Sequence, residues 1–207
     1  MALIRNTSPD ALRETPAESY SALLAKLSDE NVTARRLAAR DLAQFPHASH
    51  DLIARLDKES DALVREAIVT SLTALADIDA VSTLIDCLRS EDAALRNDAI
   101  DGLKTAGARY PQLIHEALQD PDPDVRILTI GVLSALSHRE VEQWLIDVLE
   151  QESHLNVCAC AVDVLYEIGS ESAVPALHRC AARFPDEAYL QFAVGLAIQR
   201  LQGGSAL

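Results

Sequence analysis

Residues able to bind metal or act as nucleophiles are few in this chain and widely spaced. His115-Glu116 is its one adjacent His-Glu pair. A zinc or iron site needs three or four convergent donors, so a single pair cannot close a ligand set, and on a helix it reads as a solvated face. His47-Ala-Ser-His50-Asp51 puts two imidazoles on one helix face, yet no third and fourth ligand accompany them. Four cysteines are present. Cys158 and Cys160 stand two apart and point to different faces of a helix, which removes them as an obvious chelate or redox pair. Cys87 and Cys180 hold equivalent, buried-looking places, and all four read as small core residues in a reducing compartment, with a reactive thiol the minority option. There is no glycine-rich phosphate loop and no Gly-x-Ser-x-Gly elbow. The sequence thus points to no catalytic residue, no metal and no cofactor.

What does recur is architecture. Arg35, Arg65, Arg96 and Arg126, then Cys158 and Gln191, each stand seven residues before Leu42, Leu72, Leu103, Leu133, Leu165 and Ile198. Successive ladder positions are separated by 30, 31, 30, 32 and 33 residues, the self-similarity of stacked helical hairpins. In the fourth unit, Leu113, Ile114, Ala117 and Leu118 form an amphipathic first helix, with Pro111 tolerated in its opening turn. Asp122 then caps a second helix that Pro123 begins without missing an N–H. Asn31, Asp61 and Asp92 repeat that cap four residues before the ladder arginine, and it weakens to His154 (or Ser153) and Glu187 (or Asp186). Ala38, Ile68, Ala99, Thr129, Ala161 and Val194, with Phe45, Leu75, Ala106, Leu136, Ile168 and Leu201, register one buried stripe between two helix layers. Trp144 matches Thr83 and Leu113 of other first helices, a place half exposed on the convex side, although core packing is its expected role.

Composition and charge narrow the function. The formal charge is −14: residues 1–110 carry 13 basic and 18 acidic side chains, residues 111–207 carry 5 and 14. A surface for nucleic acid needs cations to displace counterions, so this balance argues against one, and basic partners are more plausible. No run approaches the roughly 18 apolar residues of a membrane span, and Met1–Ser8 lacks a secretory apolar core, which makes the cytoplasm the expected location.

Asp61-Ala-Leu-Val-Arg65, Asp92-Ala-Ala-Leu-Arg96 and Asp122-Pro-Asp-Val-Arg126, with Ile168-Gly-Ser-Glu-Ser-Ala-Val-Pro-Ala-Leu177 between units, resemble the HEAT repeats, specifically the short bacterial phycobilisome-lyase type. The resemblance covers roughly residues 18–202. It implies an all-α, right-handed superhelix of about six helical hairpins, with Asp61, Asp92, Asp122, Arg65, Arg96 and Arg126 forming a ladder between units, Asn31 and Arg35 a partial match, and the second helices lining the concave face. Cys158 and Gln191 depart from the pattern. Residues 1–17 are expected to be an N-terminal segment with a short capping turn at Ser8-Pro9, 18–202 a single solenoid domain, and 203–207 a mobile tail. Proteins on this frame include scaffolds, chromophore lyases, DNA-repair enzymes and hydroxylases, so fold alone selects no function.

Positions one, five and eight past the ladder should face the concave side. In the first three units they are Arg36, Arg40, Ala43, then Glu66, Thr70, Thr73, then Asn97, Asp101, Lys104, a polar set. In the last three they are Ile127, Gly131, Ser134, then Ala159, Asp163, Tyr166, then Phe192, Leu196, Gln199. The helix after Arg126, with Ile127, Leu128, Ile130 and Val132, leaves almost no polar face, and the last helix repeats the anomaly. Curvature could bury such residues; otherwise they form an apolar patch rimmed by Asp163 and Glu167. The reading that follows is a non-enzymatic scaffold or adaptor, of a regulatory or signalling kind, that holds a protein or peptide there. The alternative is an accessory subunit of a chromophore-lyase-like enzyme, and a homodimer closed through the sixth unit is a third reading.

Overall fold

The computed structural model describes residues 18–203. The turn expected at Ser8-Pro9 and residues 204–207 lie outside them. Twelve α-helices are described, with no strand among the described residues. They form six hairpins: α1 (Tyr20–Leu27) with α2 (Val32–Leu42), α3 (Ser49–Leu56) with α4 (Ala62–Leu75), α5 (Ile78–Asp86) with α6 (Ala93–Ala106), α7 (Pro111–Ala117) with α8 (Pro123–Leu133), α9 (Val141–Gln151) with α10 (Leu155–Ile168), and α11 (Val174–Arg183) with α12 (Ala188–Gly203). The expected all-α superhelix is therefore the fold. Helix α12 runs on to Gly203, a residue expected to open the tail.

The second helices stack on one another from α2 through α4, α6, α8 and α10 to α12, and first helices stack as α3 on α5, α5 on α7 and α9 on α11. The core lies between these layers. Ala38, Ile68, Ala99, Thr129, Ala161 and Val194 are all buried, as their register requires; of the second set expected in the stripe, Ala106, Leu136 and Leu201 are buried and Phe45 and Leu75 half-buried, whereas Ile168, at the end of α10, is exposed and departs from the expectation. Gly102 is the tightest point: a Cβ there would lie 2.5 Å from Thr73 Oγ1, so the approach of α6 to α4 depends on glycine. The packing of α6 on α8 is less extensive than that of the other second-helix pairs.

The helix starts follow the caps. Asn31 accepts from the Thr33 and Ala34 N–H groups (2.9 and 3.3 Å), Asp61 from Leu63 and Val64 (3.0 and 3.2 Å), Asp92 from Ala94 and Leu95 (2.9 and 3.4 Å), and Asp122 from Asp124 (2.9 Å). His154 starts α10 without a side-chain cap bond. At the other end of α4, Ala76 adopts a left-handed conformation with φ 46°, its N–H bonded to the Leu72 carbonyl at 2.8 Å.

Candidate partner-binding face

The ladder has two functions, one inside each unit and one between units. Within a unit the arginine folds back on its own interhelical turn: Arg35 donates to the Asp29 and Glu30 carbonyls (2.9 and 3.0 Å), Arg126 to those of Asp120 and Pro121 (2.7 and 3.2 Å). Arg65 makes the same bonds to Glu59 and Ser60 (3.4 and 3.2 Å), and Arg96 reaches the Ser90 carbonyl. Between units the partner is usually not the capping residue. Arg35 pairs with Glu59 through Nε and Nη2 (2.8 and 3.0 Å), and Arg126 Nε with Glu152 at 2.7 Å; only Arg65 meets a cap, Asp92. In two of these three rungs the partner is the residue two before the cap. Its side chain also accepts the cap's own N–H: Asp29 from Asn31 at 2.8 Å, Glu59 from Asp61 at 2.9 Å, Asp120 from Asp122 at 3.0 Å, Glu152 from His154 at 2.7 Å.

Expectations that Asp61 and Asp122 are arginine partners are corrected accordingly: both serve as caps, and Arg35 pairs instead with Glu59, the longer acid two residues before Asp61. Arg96 makes no ion pair among the described residues, and Arg89 takes Asp120 instead. Burial of the Glu59 carboxylate would raise its pKa, but Arg35, the Asp61 N–H and Arg55 outweigh that effect and hold it down at about 2.

Where the ladder arginine is missing, its role passes to other groups. Cys158 points its thiol at the Glu152 carbonyl, 3.6 Å away, and Arg183 at the end of α11 donates to the Leu149 and Glu150 carbonyls (2.6 and 2.8 Å), with Nη2 at 3.8 Å from Cys158 Sγ. Gln191 donates to the Ala181 and Phe184 carbonyls, both at 2.8 Å.

The residues that could have held metal or acted as nucleophiles are absorbed in packing. His47 lies 4.4 Å from the Tyr20 ring, and Tyr20 donates its hydroxyl to Asp51. Trp144 is buried between His115 and His138, with centroids 4.8 and 5.1 Å away and rings within 21° of parallel, so His115 joins α7 to α9. Cys87, Cys158 and Cys180 are buried and Cys160 half-buried, all free thiols. The structure does bring Cys158 and Cys180 together, and their mutual hydrogen bond, with burial, raises the Cys158 thiol. Among the described residues no group of three or more His, Cys, Asp or Glu side chains could hold a metal ion, and no helix is long and apolar enough to cross a membrane.

The positions expected to line the concave side divide into three regions. Asn97, Asp101 and Lys104 on α6 and Glu66 and Thr70 on α4 are exposed, and the groove between those helices is lined by Glu66, Thr73, Asp98 and Asp101. On α8, Ile130 and Val132 are buried, and Ile127 and Leu128 are half-buried in a cleft of about 370 Å³ shared with Arg89, Glu91 and Arg96 of the third unit. The apolar run of that helix is thus largely consumed by packing, since the helix lies between α6 and α10 above α7. Gly131 and Ser134 remain at the surface of α8.

The third region, α10 with α12, holds large exposed apolar side chains: Tyr166 is 45% exposed, Phe192 65% and Leu196 42%. Ala159, Asp163 and Gln199 border them, and Arg200 sits 5.6 Å over the Tyr166 ring while donating to the Glu167 carbonyl at 2.7 Å. Two residues of this face were not singled out in the sequence. Tyr189, 64% exposed, donates to Asp163 at 3.4 Å; its signal was the spacing Tyr189, Phe192, Leu196, one helical stripe opposite the buried Leu190, Val194, Ala197 and Leu201. Gly195 lies on the same side, with nothing within 4 Å of where a Cβ would be. Burial and the Glu167 charge raise the Asp163 carboxyl, against the Tyr189 hydroxyl, which lowers it.

A family model described as HEAT repeats matches residues 20–104 and 110–198. The chain is 25% identical over 187 residues to the "Uncharacterized phycocyanin operon protein Z" of Pseudanabaena tenuis, covering 90% of this chain and 81% of that relative. Among solved structures it is similar to the complex of CpcE and CpcF of phycocyanin lyase from Nostoc sp. PCC7120, at 17% identity over 94% of this chain and 99% of that one, with TM-score 0.41. A designed armadillo repeat protein is similar at 14% identity over 88% and 100% of the two chains, with TM-score 0.40.

Proposed function

We propose, from the premise that the chain belongs to the HEAT-repeat family, that it is a non-enzymatic scaffold holding a partner protein or peptide against the face of α10 and α12. The observation that carries this reading is the exposed stripe Tyr189, Phe192 and Leu196, joined by Tyr166 from the neighbouring helix. Large apolar side chains clustered in water mark a binding surface. Packing explains the other features: the ladder closes turns, the histidines join first helices, and the thiols fill core.

That the Pseudanabaena relative is a phycocyanin operon protein fits a second version of the same reading, an accessory subunit working beside a chromophore-attaching enzyme. In that version the face holds the enzyme's other subunit, and a strict hetero-partner is its signature.

The test is affinity capture from lysate of the source cell with the wild-type chain and with a Phe192→Glu, Leu196→Glu double variant, read by mass spectrometry. Both substitutions fall at exposed helical positions, so helical circular dichroism should be retained. A protein held by the wild type and lost by the folded variant is the expected result. Identical captured sets, or none, would remove the scaffold reading.

A further inference from the structure

Resting on that docking reading, we infer that the occupant of the α10–α12 face is a basic amphipathic helix of another protein, its apolar side seated on Tyr189, Phe192 and Leu196 and its cations on Asp163, Glu167 and Glu187. Three independent features of the face point to this occupant.

The first is shape. Tyr189, Phe192 and Leu196 stand at i, i+3 and i+7 on α12, a ridge along one helix side, and Gly195 opens a gap beside them where a Cβ would touch nothing in this chain. Gly102 shows what a helical glycine does when its own chain needs it, since a Cβ there meets Thr73. Gly195 meets no such neighbour. A glycine inside a helix costs about 1 kcal/mol relative to alanine, and here the space above it suits the close approach of another backbone, as ridge-into-groove helix packing requires.

The second is charge. The carboxylates of Asp163, Glu167 and Glu187 are in no ion pair among the described residues. Of the five arginines after residue 110, Arg126 pairs with Glu152, Arg139 with Glu140, Arg179 with Glu150 and Arg183 binds backbone carbonyls; Arg200 stands on this face, over Tyr166 and bonded to the Glu167 carbonyl, and forms no ion pair with the three carboxylates. Glu187 lines the groove between α10 and α12 together with Asp163 and Tyr189. An apolar strip with an unneutralised acidic rim is complementary to an apolar strip with a cationic rim.

The third weighs against a second copy of the chain. A twofold interface uses the same patch on both sides, so it would bring two sets of Asp163, Glu167 and Glu187 into one interface. Like charges face to face oppose association.

The test uses the full chain and three fluorescent synthetic peptides of about 18 residues, roughly five helical turns. One carries leucines at helical spacing with lysines elsewhere. The second has glutamates for the lysines, and the third has the first peptide's composition with the leucines spread around the helix. Fluorescence anisotropy should show the first bound at least tenfold more tightly than either of the others. Phe192→Ser with Leu196→Ser should weaken it tenfold or more with helical circular dichroism unchanged, and Asp163→Asn with Glu167→Gln and Glu187→Gln should bring the first and second peptides to within threefold of each other.

Equal binding of the first and third peptides would reduce the effect to nonspecific attraction between a cation and a chain of net charge −14, and would overturn the proposal. Equal binding of the first and second, or no binding of any, would also overturn it. In both cases the capture experiment decides separately whether the face still holds a partner of other chemistry. Sedimentation of the free chain supplies the remaining arm: a dimer abolished by Phe192→Ser would assign the face to a second copy instead.

Discussion

Units one to three and units four to six share one hairpin plan but are joined differently. In the first half a buried guanidinium bridges Arg35 to Glu59, and a second rung runs from Arg65 to Asp92. In the second half the one ladder rung is Arg126 to Glu152, after which a thiol, an arginine borrowed from the next unit and a glutamine satisfy the turn carbonyls. The comparison shows that the position has one obligation, to supply donors to carbonyls that the turn leaves open, and that the charge bridge between units is an addition. Tyr166, Phe192 and Leu196 stand in the half where the ladder has been replaced.

The largest expected effect tests whether the first half depends on its bridge. Glu59→Gln leaves Arg35 and Arg55 without their shared carboxylate in a buried place, and should cost about 3 kcal/mol in urea denaturation. Glu150→Gln, at the exposed pair with Arg179, should leave the midpoint unchanged. Equal losses at the two sites would break the comparison.

Acid sharpens the same point. Glu59 is held at about 2 against an ordinary value of 4.5, so the folded chain binds fewer protons there than the unfolded one. The stability this group contributes is fully present above about pH 4.5 and is lost as pH falls towards 2. Thermal melts across that window should show a smaller decline in Glu59→Gln than in the wild type.

In the second half, Arg183→Gln should cost about 1 kcal/mol, the scale of a lost hydrogen-bond pair, and should not be mimicked by Arg139→Gln at an exposed surface. The smallest effects are two exchanges of opposite sense, both stabilising. Gly195→Ala should gain about 1 kcal/mol because nothing occupies the added methyl's place. Ala76→Gly should gain about 0.5–1 kcal/mol by relieving a left-handed residue at the end of α4. If Gly195→Ala also weakens partner binding, that glycine is explained by what lies above it rather than by its own chain.

The repeat, the caps and the buried stripe were legible because each is a fixed spacing that a helix turns into a face. The acids two before the caps are equally periodic, as Asp29, Glu59, Asp120 and Glu152, and two of them, Glu59 and Glu152, carry rungs, yet the capping positions two residues later drew the assignment. Arg183 was not readable. It serves the fifth unit from the sixth, and only the stacking of α11 on α9 brings it there. The same holds for Cys158 beside Cys180. Sequence alone could not apportion Ile130 and Val132 of α8 to packing and Phe192 of α12 to solvent, because that depends on which helices the fold packs against each side of α8 and α12.

Trp144 is the single tryptophan of the chain and lies between two imidazoles at the joint of α7 and α9. Any bending of the superhelix that separates those first helices must slide the indole out from between its neighbours, changing both its emission and its quenching. The molecule therefore carries a native optical gauge of its own curvature, sited away from the α10–α12 face and readable without a label while a partner is titrated in.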